Sequence, residues 1–177
     1  EFSRQGGDFQ MVQQWVNLPA KDKMSPPKYQ GIGKDMIKKV TLPKESGSIG
    51  VIAGNYQGVG GAASTFTPMN LFNAKLKKGT TAPFSFPSRF NSALLVIEGR
   101  IKVNDTEEVP TDNLLLFANE GEDFIVEALE DTVVLVLSGE PIEEPIAAHG
   151  PFVMNTKAEI LQAFEDVRNG NFGHLED

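Results

Sequence analysis

Two histidines, at positions 149 and 174, and no cysteine are what this 177-residue chain offers to metal or nucleophile chemistry. The missing thiols exclude disulfides, zinc-thiolate centres, Fe–S clusters and thiol nucleophiles together. Two imidazoles cannot complete a three-histidine centre within one chain, and a two-histidine, one-carboxylate site would need both. His149 stands in Ala148-His149-Gly150-Pro151, on a loop, and reads as a structural or exposed residue; His174 lies near the chain end, where fraying is expected. Glu140, Glu143 and Glu144 have the chemistry of metal ligands or of an acid–base pair, but proline-punctuated acidic loops are more often solvated, and nothing sets two carboxylates across a cleft. No GxSxG elbow or HExxH pair is present.

Anion chemistry is no better served. Gly58-Val59-Gly60-Gly61-Ala62-Ala63 superficially suggests a phosphate loop, but such a site needs a helix N-terminus directly after the glycines. Ser64-Thr65-Phe66-Thr67-Pro68 follows instead, so a flexible surface loop is expected. The lysine clusters Lys34/Lys38/Lys39 and Lys75/Lys77/Lys78 read as solvated faces, because neighbouring acids cancel them within about a Debye length. A net charge of −8 disfavours nucleic-acid phosphate. Asn104-Asp105-Thr106 matches a glycosylation sequon, read as accidental in the absence of a secretion signal. No run approaches the roughly 18–20 apolar residues that cross a bilayer, and Glu1–Gly7 lacks the apolar core of a signal peptide. The expectation is a soluble, cytoplasmic protein without membrane contact. The absence of an initiator Met points to a processed or cut start.

The elements that must hold these residues are mostly strands. Phe9–Leu18, with Met11, Val12, Trp15, Val16 and Leu18 among glutamines, suits a strand. Pro19–Pro27, charged and proline-bearing, suits a linker. Strand-like runs then recur at Ile49–Ala53, Leu71–Leu76, Ala93–Glu98, Ile101–Val103, Leu114–Ala118, Phe124–Ala128 and Thr132–Leu137, the spacing of an all-β sandwich or barrel. Gly99 supplies positive φ for a tight hairpin between Glu98 and Arg100. The continuous runs Ala93–Ile97 and Val133–Leu137 suit strands buried between two sheets. In the tail, Thr156-Lys157-Ala158-Glu159 fits a capping box, and Ile160, Ala163, Phe164 and Val167 repeat at helical spacing until Arg168-Asn169-Gly170. One helix of about 12 residues needs a surface to dock on. Pro141, Pro145 and Pro151 suggest an extended crossing segment before it.

Two segments carry a more specific signal. Gln14-Trp15-Val16-Asn17-Leu18-Pro19-Ala20-Lys21-Asp22-Lys23-Met24, continuing to Pro26-Pro27-Lys28-Tyr29-Gln30, resembles the segment joining the two halves of pirin-family proteins. Gly139-Glu140-Pro141-Ile142, Glu144-Pro145-Ile146 and His149-Gly150-Pro151-Phe152-Val153-Met154-Asn155-Thr156 resemble that family's C-terminal signature. The resemblance implies an antiparallel jelly-roll cupin barrel with a short C-terminal helix, as one half of a bicupin. Residues 1–45 would be the end of the first domain and linker, 46–138 the C-terminal barrel, and 139–177 the crossing segment and helix. It further implies a non-haem Fe(II) in the N-terminal barrel, held by a His-x-His pair, a further His and a Glu, with quercetin 2,3-dioxygenase activity or, in eukaryotes, transcriptional co-regulation in the nucleus. Those ligands precede the Trp-Val-Asn-Leu-Pro segment, and only 14 residues without histidine stand before Trp15 here. No ligand role is carried to Glu1.

Within this chain, a cupin's first motif best matches up to Gly99, and its ligand window reads Phe84-Ser85-Phe86-Pro87-Ser88-Arg89-Phe90-Asn91, without His or Glu. The second motif places a His three residues after a turn glycine, and after Gly121 that position is Phe124. The expectation is therefore a barrel with no catalytic, cofactor-binding or metal residues, acting as the structural and interaction half of an iron-dependent parent. Its expected partner is the N-terminal cupin half or a second copy by strand exchange. Phe9–Leu18 and Phe152–Val167 should then expose more than a few hundred Å² of apolar surface. A different class of function also fits: a self-sufficient, metal-free β-sandwich that takes an apolar small molecule or protein segment near Phe84, Phe86, Phe90 and Phe124.

Overall fold

From Thr132 to Gly139, buried and half-buried side chains alternate strictly, with Thr132, Val134, Val136 and Ser138 turned inward. That period of two is what a pleated strand imposes on β-branched residues packed against a core. The computed structural model describes residues 2–7 and 10–172; Glu1, Phe9 and His174 lie outside the described residues. The strands are β1 (Lys38–Thr41), β2 (Gly47–Ala53), β3 (Asn55–Tyr56), β4 (Val59–Gly60), β5 (Met69–Leu76), β6 (Thr81–Ser85), β7 (Asn91–Glu98), β8 (Arg100–Val103), β9 (Glu107–Pro110), β10 (Leu114–Leu116), β11 (Asp123–Ala128), β12 (Thr132–Gly139), β13 (Ala147–His149) and β14 (Phe152–Met154). The helices are α1 (Phe2–Gln5) and α2 (Lys157–Arg168).

The chain divides into two compact units, Met24–Glu143 and the pair of segments Glu1–Lys23 and Glu144–Asp177. In the first, a six-stranded sheet ordered β1-β2-β5-β12-β7-β10 accompanies a four-stranded sheet ordered β6-β11-β8-β9, and every pairing is antiparallel. The inward residues of both sheets, among them Ile49, Val51, Phe72, Leu94, Val96, Ile101, Val126, Val134 and Val136, form one core. The all-β expectation is met. The runs in β7 and β12 have one fully buried face, while Leu95, Ile97, Val133, Leu135 and Leu137 on the other face are half-buried.

Several local expectations change. β1 pairs with β2, so residues 38–41, assigned to the linker on a boundary at 45, contribute a strand. Further upstream, Gln30 is fixed to Ser64 by two hydrogen bonds, its Nε2 donating to the carbonyl at 2.9 Å and its Oε1 accepting from the amide at 2.8 Å. Gly99 does adopt φ 78°, but β7 and β8 belong to different sheets. Gly99 is thus a corner at which the chain changes sheet, and a Cβ there would strike the Asp131 carbonyl. The Gly58–Ala63 stretch opens with a hairpin: β3 pairs with β4 around Gln57 and Gly58 at φ 49° and 85°, the left-handed pair that a two-residue turn demands.

In the second unit, α2 begins and ends where the sequence pattern sets it. Thr156 accepts from the Glu159 amide at 3.2 Å and Glu159 Oε2 accepts from the Thr156 amide at 2.7 Å, a reciprocal capping box. Ile160 and Ala163 are buried, and Phe164 meets Phe152 edge-on at 5.0 Å between ring centroids. The expected strand at Phe9–Leu18 is not formed: residues 10–19 carry no strand hydrogen bonding, and β13 and β14 pair only with each other. Apolar alternation makes a strand only where a partner edge is available.

Candidate functional site

The positions at which a cupin motif would place metal ligands converge, and they converge on aromatic rings. Phe84 on β6 lies directly across from Phe124 on β11, their rings stacked at 5.3 Å. Phe86 packs against Phe124 at 5.8 Å, and Phe117 closes on Phe124 at 4.4 Å. Deeper in the barrel, Tyr56 and Phe72 extend the stack, each within 6.3 Å of Phe84. The Tyr56 hydroxyl donates to the Pro83 carbonyl at 3.1 Å, and burial pushes its phenol above the ordinary value. This interior offers dispersion and ring-edge contacts, not lone pairs.

The residues present do not fit an iron ion. Among the described residues, no three His, Cys, Asp or Glu side chains are grouped so as to hold a metal. The buried side-chain polar atoms left without a partner there are Asn73 Oδ1 and Asn155 Oδ1; Asn73 alternates with the inward Phe72 and Ala74 along β5, so it occupies the other face of the sheet. At one end of the barrel, the loops around Pro87 and Gly121 enclose a cavity of about 260 Å³ floored by Phe86, Phe90, Phe117 and Phe124.

Of the three glutamates, Glu140 and Glu144 find structural partners, while Glu143 is exposed. Glu140 forms an ion pair with Arg89 at 2.6 Å. Glu144 belongs to a clasp that brings the first 23 residues and the tail together. Its Oε2 accepts from the Ala20 amide at 2.7 Å and from Asn155 Nδ2 at 2.9 Å, and Lys23 Nζ donates to Asn17 Oδ1 at 2.7 Å and to the Val153 carbonyl at 3.1 Å. Sequence reasoning treated Glu144 only as a possible ligand and missed this clasp. The signal was available, since Asn17, Lys23, Glu144, Val153 and Asn155 all fall inside the two segments singled out above. His149 is exposed on β13 with its ring edge-on to Phe164 at 5.5 Å. All six lysines of the two clusters are exposed.

Glu159 joins clasp and cap. The Thr156 hydroxyl, then the Thr156 and Asn155 amides and the Lys23 charge, hold its carboxyl below the ordinary glutamate value against a smaller opposing effect of burial. A carboxylate with a depressed folded value favours folding at pH above its unfolded value, about 4.3, and loses that contribution as pH falls through the folded value. A carbon-13 titration should therefore put the Glu159 midpoint below the ordinary glutamate value of about 4.3, with α2 loosening only once it protonates; a midpoint at or above that value would contradict the cap.

The family model for the pirin C-terminal cupin domain matches residues 71–173, more than half of the chain. The chain belongs to the pirin family. It is 42% identical over 171 residues to a putative quercetin 2,3-dioxygenase of Pseudomonas aeruginosa, covering 97% of this chain and 59% of that protein. It is 32% identical over 166 residues to human pirin, covering 92% of this chain and 57% of pirin. The crystal structure of a quercetin 2,3-dioxygenase from Acinetobacter baumannii superposes with a TM-score of 0.87 at 42% identity, over 92% of this chain and 56% of that one. The chain thus spans less than two thirds of the length of these pirin-family relatives. The two-sheet unit is a cupin fold, as the pirin resemblance implies, and the clasp ties together the two pirin-like signature segments. Among the described residues, no helix is long and apolar enough to cross a membrane.

Proposed function

We propose that this chain is the metal-free cupin half of a pirin-type two-barrel protein, the structural and interaction partner of a first barrel that carries Fe(II). The whole protein acts in this reading as a cytoplasmic oxidoreductase of the quercetin 2,3-dioxygenase type, or as a transcriptional co-regulator if its host has a nucleus. No residue of this chain takes a catalytic or metal-binding part. The observation that carries the reading is that stacked phenyl rings, Phe84 and Phe86 from the first-motif window and Phe124 at the second-motif position, stand where donors would be needed; burying an unused ligand there would cost several kcal/mol. The activity is that of the quercetin 2,3-dioxygenases to which the chain is similar.

The surface of the second unit supports the partner role. Met11 (66%), Trp15 (65%) and Val16 (53%) are exposed, as are Ile146 (70%), Leu161 (67%) and Val167 (52%) on the tail, and apolar residues of this kind mark an interaction site where they form one patch. Its occupant in this reading is the first barrel. Trp15 is the single tryptophan, so its emission reports this surface alone. In monomeric chain, identified by sedimentation, Trp15 should emit as a solvated indole and be quenched freely by acrylamide, with a blue shift as copies pair at higher concentration. A monomer whose Trp15 is already blue-shifted and protected would contradict the reading and favour a self-sufficient binding protein.

A further inference from the structure

The cavity at the end of the barrel has a feature that the pirin-half reading does not use. Its floor is aromatic, from Phe86, Phe90, Phe117 and Phe124, and its rim carries the carboxylates Glu120, Glu122 and Asp123. All three acids are exposed, and among the described residues the ion pairs are Arg89–Glu140 and Arg100–Glu130, so no Lys or Arg stands within ion-pair distance of the rim carboxylates. The cationic side chain between the lining residues Ser88 and Phe90, Arg89, lies over the Phe90 ring with its guanidinium carbon 5.9 Å from the centroid and is engaged by Glu140 at 2.6 Å. The walls are fixed before any ligand arrives. The Phe86 amide donates to the Glu122 carbonyl at 2.9 Å and the Phe117 amide donates to the Ser92 carbonyl at 3.1 Å, which ties one loop to the other across the mouth.

The geometry points to a binding site for a small organic cation, an ammonium group carried on an aromatic or short alkyl body. Phenyl faces attract positive charge through their quadrupole, and carboxylates at the rim add a direct attraction. A bare metal ion is not served, because the cavity offers no set of donors to replace its hydration shell. A carboxylate or phosphate ligand would face three like charges. The size also restricts the choice: about 260 Å³ falls below the roughly 300–1,000 Å³ of pockets for drug-sized molecules, so the occupant has one ring rather than several.

Three probes of nearly equal shape test it on the 177-residue chain: phenethylammonium, 2-phenylethanol and phenylacetate, each titrated into isotope-labelled protein while backbone amide shifts are followed. The cation should give saturable shifts at Phe86, Gly121 and Phe124, the alcohol should bind about tenfold more weakly, and phenylacetate should give none. The combined substitution of Glu120→Gln, Glu122→Gln and Asp123→Asn, on exposed residues with the remaining spectrum unchanged, should bring the cation down to the affinity of the alcohol and leave the alcohol itself unaffected. Equal binding of cation and alcohol, cation binding that survives the triple substitution, or no saturable shift at these amides would each overturn the proposal.

Discussion

Replacing Phe124 by alanine should lower the free energy of unfolding by about 3–5 kcal/mol, the range for removing a phenyl ring from a packed core. The ring is 7% exposed and is the common neighbour of Phe84, Phe86 and Phe117, at 5.3, 5.8 and 4.4 Å. Its loss leaves three rings facing a void that the rest of the barrel cannot readily fill, since the strands on both sides are held in register: Phe124 pairs with Phe84, and Val126 with both Ala82 and Val103. Urea unfolding of Phe124→Ala beside Phe124→Leu checks this. Leucine keeps most of the buried area and should recover more than half of the loss. A cost below about 1 kcal/mol for the alanine variant, the level of a surface change, would show that this position is not the keystone of the interior.

Phe164→Ala should release α2. An isolated helix of this length is marginal in water, so its persistence depends on what it packs against. Phe164 provides that contact, meeting Phe152 at 5.0 Å and His149 at 5.5 Å, with Ile160 and Ala163 buried beside it. Losing about 2–3 kcal/mol of contact should speed amide exchange across Lys157–Arg168 by roughly a hundredfold, while exchange in β5, β7 and β12 stays as it was. The capping box cannot hold the helix alone, being worth about 1 kcal/mol. Unchanged protection in α2 would place its anchor elsewhere.

The strands that sequence reading found and those it missed differ in a physical way. β2, β5, β7, β11 and β12 each lie between two neighbours, and their β-branched, apolar runs declare them. Of the four edges of the two large sheets, β10 was found and β1, β6 and β9 were missed, as were the short ribbons β3–β4 and β13–β14. An edge must resist pairing with other chains, and it does so with charges and proline: Lys38 and Lys39 on β1, Pro83 on β6, Glu107, Glu108 and Pro110 on β9. Those residues erase the pattern that marks a strand. The opposite error occurred at Met11–Leu18, where the pattern is present but the described chain supplies no partner edge. The aromatic interior was legible because Phe84, Phe86 and Phe124 fall at motif positions. The clasp was missed although its residues lie in the two signature segments, because the bonds that join those segments span more than 120 positions and use lysine, asparagine and glutamate side chains that surfaces also carry without purpose.

On the proposed reading, this barrel belongs to an iron protein and itself binds none. The chain, expressed with ferrous iron in excess and passed through a desalting column without chelator, should contain well under one tenth of an iron atom per molecule on the order-of-magnitude scale expected of adventitious surface binding. Its unfolding midpoint should be the same with and without the metal, since a ligand that binds the native state would raise it. Stoichiometric iron held through side chains, with a midpoint that falls on chelation, would contradict the account.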